Sequence, residues 1–188
     1  MVALTQLWLP ILLAAILVFV ASSLVHMVFK WHNSDYHKLP NEDEVRAAIR
    51  KGAPAPGQYI VPHCPDMKVM SQPEHQQKLI EGPVGFLSLA PNGPPRMGGS
   101  LLRWFLFNLL VAFFVAYLAS RTVTPETSDY LHVFRIVGTA TFLAYGLSGF
   151  PGAIWMGKPW SVVAKEVLDG LIYALVSAGA FGWLWPRG

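Results

Sequence analysis

Charge is nearly absent from four blocks of the chain, residues 7–29, 101–120, 131–150 and 162–185, and polar stretches separate them. At 1.5 Å of rise per residue, each block is long enough as a helix to cross about 30 Å of hydrocarbon. The pattern predicts an all-α membrane protein with four transmembrane helices and a small α+β water-facing segment between the first and second. It divides into a first transmembrane helix (1–30), a soluble membrane-proximal segment (31–100) and a three-helix transmembrane region (101–188).

The first block is expected to be retained as a span. Its apolar run is too long for a secretory leader, no basic residue precedes it, and Ala21-Ser22-Ser23 is a poor cleavage site. Trp8, Trp31, Trp104, Tyr130, Trp155, Trp160, Trp183 and Trp185 fall near the block ends, where an amphipathic ring prefers the interface.

Between the first two blocks the pattern changes to helix caps and short β-prone runs. Asn41-Glu42-Asp43-Glu44 predicts a helix start with a capping box and three acids on the positive dipole end; Arg46, Arg50 and Lys51 follow, and Gly52 is the expected stop. Ser71-Gln72-Pro73-Glu74 repeats the arrangement, with Gly82 as its stop. Tyr59-Ile60-Val61 and the run 84–89 read as strands bounded by prolines, able to pair as a two-stranded ribbon. Asn92-Gly93-Pro94-Pro95 reads as a turn and Gly98-Gly99 as a hinge into the second span. The run 149–160, rich in glycine, proline and tryptophan, reads as an interfacial turn or helix.

Composition agrees with a bilayer environment, with 53% hydrophobic and 13% charged residues. The net charge of +3 does not point to nucleic acid, because the basic residues flank apolar blocks instead of forming a stripe with interleaved aromatics. They lie mostly in or beside 31–100, with Lys158 and Lys165 between the last two blocks, while Arg121 and Arg187 fall at the opposite ends. By the positive-inside rule, both termini are expected to be periplasmic and residues 31–100 cytoplasmic. A single cysteine, Cys64, excludes an intrachain disulfide.

Candidate chemistry lies in the polar residues inside the blocks. Asn108 and Asp169 are each roughly 10 Å from the same side of the membrane. Ser22, Ser23 and Tyr145 share that depth, Thr141 lies close to it, and His26 and Glu166 sit nearer the surface. Such a layer is either a cytoplasm-facing polar cavity centred on Asp169 or a set of interhelical hydrogen bonds. Lys165, one helical turn from Asp169, is a possible intrahelical partner for its carboxylate. Arg135 belongs to the other side, where Glu126 or Asp129 is its expected partner. Ala174, Ala178 and Gly182 form a four-residue small-side-chain repeat suited to close helix packing, within the chain or between copies.

His26, His32 and His37 lie near the inner end of the first block, with His63, Cys64 and His75 further on. No pair has the i, i+4 spacing of a helical zinc motif, and no CxxC is present; neither a metal nor another cofactor is expected. There is no GxSxG, P-loop, dinucleotide fingerprint or HExxH, so no catalytic residue is assigned.

The stretches 107–120, 154–160 and 169–175, with Pro56-Gly57-Gln58-Tyr59 more loosely, resemble a family of uncharacterised bacterial inner-membrane proteins. The resemblance implies a bacterial inner-membrane location and transfers no activity. The leading expectation is a non-enzymatic membrane protein, with the lipid bilayer as its solvent, that self-associates or serves as a subunit of a membrane complex through its soluble segment. The alternatives are a small transporter or channel component using Asp169 and Asn108, and a protein that binds lipid or quinone.

Overall fold

The computed structural model of the chain describes residues 2–124, 126 and 128–186; Arg187, counted above for its charge, lies outside them. The described chain is mostly helical, with a small two-stranded sheet, and forms two compact units. One comprises the residues up to Tyr36, 96–151 and those from Pro159 onward; the other comprises 37–95 and 152–158. Trp31–Asp35 thus belongs with the helical unit, because that turn folds back onto a span.

The helical unit contains four helices long and apolar enough to cross a membrane. Helix α1 (Trp8–Ser23) begins in a 3-10 turn and ends in a π-helical turn, so the continuous rod is Leu4–Phe29. A second helical rod, Met97–Thr122, starts four residues earlier than the apolar block because the glycine pair expected as a hinge is helical.

Counted in chain order, the elements of the other unit come between these two: α2 (Glu42–Gly52), β1 (Gly57–Val61), α3 (Met67–Met70), α4 (Pro73–Glu81) and β2 (Gly85–Leu89). The Met97–Thr122 rod is therefore α5, followed by α6 (Tyr130–Tyr145), the short α7 (Phe150–Met156) and α8 (Trp160–Leu184). The short helix expected from the 149–160 run is α7. The third span, Tyr130–Met156, is broken between α6 and α7.

In the helical unit α8 packs against α6 and α1, and α5 packs against α1 and α6. The helices are apolar around most of their circumference, so side-chain size, more than polarity, decides which face turns inward. Ala112, Ala116 and Ala119 of α5 are buried, whereas Leu106, Leu110, Phe114 and Leu118 are exposed. The end of α6 and α8 approach closely, since a Cβ on Gly170 would lie 2.3 Å from Gly146 Cα. Ala174 and Ala178 are buried, Gly138 faces Ala178, and a Cβ on Gly182 would meet the Tyr130 ring. The small-residue repeat is therefore taken up within the chain.

In the second unit β1 and β2 pair antiparallel, with Gly57 opposite Leu89, Tyr59 opposite Leu87 and Val61 opposite Gly85, the ribbon expected from sequence. Asn41 precedes α2 as expected, but its side chain donates to Glu44 at 3.4 Å instead of accepting from the backbone. The left-handed stop is Ala53, one residue beyond Gly52. Helix α4 starts after Gln72 and stops at Gly82; Ser71 instead bonds backward to Met67 and Lys68 carbonyls of α3. Helix α3 escaped the sequence pattern because it is one turn long, with Asp66 as its cap accepting from the Val69 amide at 2.9 Å.

Candidate functional site

The site is built where the first span ends irregularly. After Ser23 the backbone widens into a π-helical turn, Leu24–Phe29, and Lys30 adopts a left-handed conformation at φ 54. Left-handed backbone at a non-glycine residue costs on the order of 1–2 kcal/mol, so surrounding contacts must hold it. A 3-10 turn, Trp31–Asp35, follows immediately. Together these turns stack the His26 and His32 rings, with centroids 4.6 Å apart and planes at 29°.

Both rings face Asp169 of α8, which is 5% exposed. The His32 Nε2 lies 2.8 Å and the His26 Nε2 3.7 Å from its Oδ2. On its other side the His32 Nδ1 lies 2.6 Å from Asp35 Oδ2. One imidazole is thus held between two carboxylates; both ring nitrogens donate, or a carboxyl group carries the proton. Asp169 Oδ1 is buried with no hydrogen-bond partner among the described residues.

Lys165 does not pair with Asp169, contrary to the expectation from their spacing. Its ammonium donates to Asp35, and at 2.8 Å each to the Trp31 carbonyl and the Ser34 hydroxyl. All three of its donors are occupied, because the 3-10 turn offers three acceptors together. Hydrogen bonding from Lys165, reinforced by His32, holds the Asp35 carboxyl below the usual carboxylate range against the opposing effect of burial. Lys165 therefore balances Asp35, and the groups facing Asp169 are the His32 and His26 imidazoles.

A polar stripe continues inward along α8 through Tyr173 and Ser177, which repeat at four-residue spacing from Asp169 and are buried like it. Around it the residues expected at one depth bond in separate pairs. Tyr145 of α6 donates to Asn108 of α5 at 2.9 Å. Ser22 of α1 accepts from Trp104 at 2.8 Å while its own hydroxyl, like that of Ser23, donates to the Phe19 carbonyl. Asn108, Thr141, Tyr145 and Ser177 help line a cavity of about 10 Å³, close to the volume one water needs. Beyond it Val133, Val137, Ala178 and Phe181 are fully buried and apolar. The polar stripe is closed at that end.

Asp169 and His26 are brought together, and Asn108 and Tyr145 form a separate pair deeper in the bundle. Ser23 serves a local bond, Ser22 also joins α1 to Trp104 of α5, and neither reaches Asp169. Sequence reasoning missed Asp35 and Trp104 as members of the site and set His32 aside. The available signal was His32 and Asp35 at i, i+3, directly after a span. On the other side Asp129, expected beside Arg135, caps α6 by accepting from the Leu131 and His132 amides. Comparison with protein-family models, characterised proteins and solved structures found no match for this chain.

Proposed function

We propose that this chain is a multi-pass membrane protein that binds a small cation at Asp169 and acts as the cation-handling component of a transport system. The observation that carries the reading is a buried carboxylate inside an apolar span, one oxygen held by His32 and the other without a partner among the described residues. An ionised group in hydrocarbon costs several kcal/mol unless it is paired or wet, and such groups mark ion pathways and proton relays in membrane proteins. Lys165 is occupied by Asp35, which leaves the His32 and His26 imidazoles, and a cation bound beside them, to balance Asp169.

The charge asymmetry along the chain supports residues 31–100 being cytoplasmic, so the cation enters from the cytoplasmic side; the bacterial inner-membrane location rests on the resemblance alone. The apolar seal beyond the polar stripe favours a carrier that must change conformation over an open channel. The Ala174, Ala178 and Gly182 repeat packs within the chain, which leaves self-association to the soluble segment. That leaves the cation reading ahead of the subunit reading.

The test is flux of Na⁺, Mn²⁺ and Zn²⁺, measured separately in proteoliposomes. At least one should move faster than in empty vesicles, and Asp169→Asn should return it to background. Flux indifferent to Asp169→Asn, or none for any ion, removes the transport role.

A further inference from the structure

Resting on that cation reading, we propose that His26, His32 and Asp169 form a site for a divalent first-row transition-metal ion, with Asp35 behind His32 fixing its ring. The donor atoms of these three residues all lie within 4.8 Å of one another. In a tetrahedral site with bonds of about 2.0–2.1 Å, neighbouring donors stand about 3.3 Å apart. The observed 2.8 Å and 3.7 Å separations from Asp169 Oδ2 bracket that value, so small side-chain adjustments open the cage.

Three further features support a metal over a purely structural cluster. Asp35 bonds the His32 nitrogen remote from Asp169, the carboxylate–histidine arrangement that orients a ligating imidazole and raises its basicity. The buried Asp169 Oδ1 has lone pairs with no protein donor among the described residues. The His26 side chain, 50% exposed, stacks on His32 and keeps its Nε2 beside the same carboxylate oxygen.

Two imidazoles and one carboxylate suit Zn²⁺, Fe²⁺ or Co²⁺; Mg²⁺ and Ca²⁺ prefer oxygen donors alone. Three protein ligands leave at least one coordination position for water or an exchanging ligand. A site that must load and release its ion requires that opening.

The full chain, purified in mild detergent and stripped with chelator, is titrated with Co²⁺ while its visible absorption is followed. One Co²⁺ per chain should bind, be displaced by Zn²⁺ and resist an equal concentration of Mg²⁺. His26→Ala and Asp169→Asn should abolish the spectrum. Asp35→Asn should keep the spectrum and weaken binding by about 10–100-fold. His26→Ala is the decisive variant because its partial exposure lets the fold persist, which an unchanged melting profile verifies.

No saturable Co²⁺ binding, binding unaffected by His26→Ala, or displacement by Mg²⁺ would overturn the metal site. The two proposals separate cleanly. Co²⁺ bound through these residues without flux in vesicles retains the site and removes transport, whereas Asp169-dependent Na⁺ flux without Co²⁺ binding does the reverse.

Discussion

The contact that sets α8 against α6 is open to a single-methyl test. In Gly170→Ala the new Cβ would fall 2.3 Å from Gly146 Cα, 2.4 Å from Gly146 N and 3.0 Å from the Tyr145 carbonyl carbon. These are backbone atoms, so relief requires the helices to separate. Overpacking of this kind costs about 1–3 kcal/mol or more, while replacing a mid-helix glycine by alanine returns up to about 1 kcal/mol of propensity. The net expectation is a loss of about 1–2 kcal/mol, or roughly 2–8 °C in Tm for a chain of this size.

Gly138→Ala is the control, because its Cβ would meet only the Ala178 methyl at 3.4 Å. That variant should melt within about 2 °C of the parent. Thermal unfolding in one detergent, followed by circular dichroism, compares the two. Gly170→Ala melting no lower than Gly138→Ala would refute the close α6–α8 packing, and with it the placement of Asp169 one residue away.

Lys165→Met should leave the buried Asp35 carboxylate without its ammonium and lower stability by about 1–3 kcal/mol, with Lys165→Met/Asp35→Asn recovering part of the loss; melting of both variants checks this. Tyr145→Phe removes the donor to Asn108 and should cost about 1–3 kcal/mol in the same assay, because a buried amide oxygen is stranded. Asp129→Ala deletes the α6 cap and should cost about 1 kcal/mol, while leaving cation flux intact in proteoliposomes.

Much of the fold was legible because long apolar runs impose a coarse code. Four apolar blocks with few charges sufficed for four long helices, and the β-prone runs paired in the ribbon expected of them. Boundaries were less legible where the decisive interaction was local and weak. Gly98-Gly99 joins α5 because the helix extends through it, and α2 ends on Ala53 although a glycine stands beside it.

The site was legible in part. Asp169 stood out as a charge inside an apolar block, and Asn108 and Tyr145 were placed at one depth where they do bond. Their partners were hidden because the contact joins residues 137 positions apart, His32 and Asp169, which no local spacing rule detects. Helical periodicity also misled: Lys165 is one turn from Asp169, but a 3-10 turn with three acceptors draws the ammonium away. The π-helical turn that stacks His26 on His32 carries no sequence signature of its own.

A double-mutant cycle on His32 and Asp169 probes the arrangement most directly, with melting free energies of His32→Ala, Asp169→Asn and the double variant compared in one detergent. Joined by a buried, charge-assisted bond, the two residues should show a coupling of about 1–3 kcal/mol. Additive losses within about 0.5 kcal/mol would mean that the turn does not reach α8, and the cation site would lose its foundation.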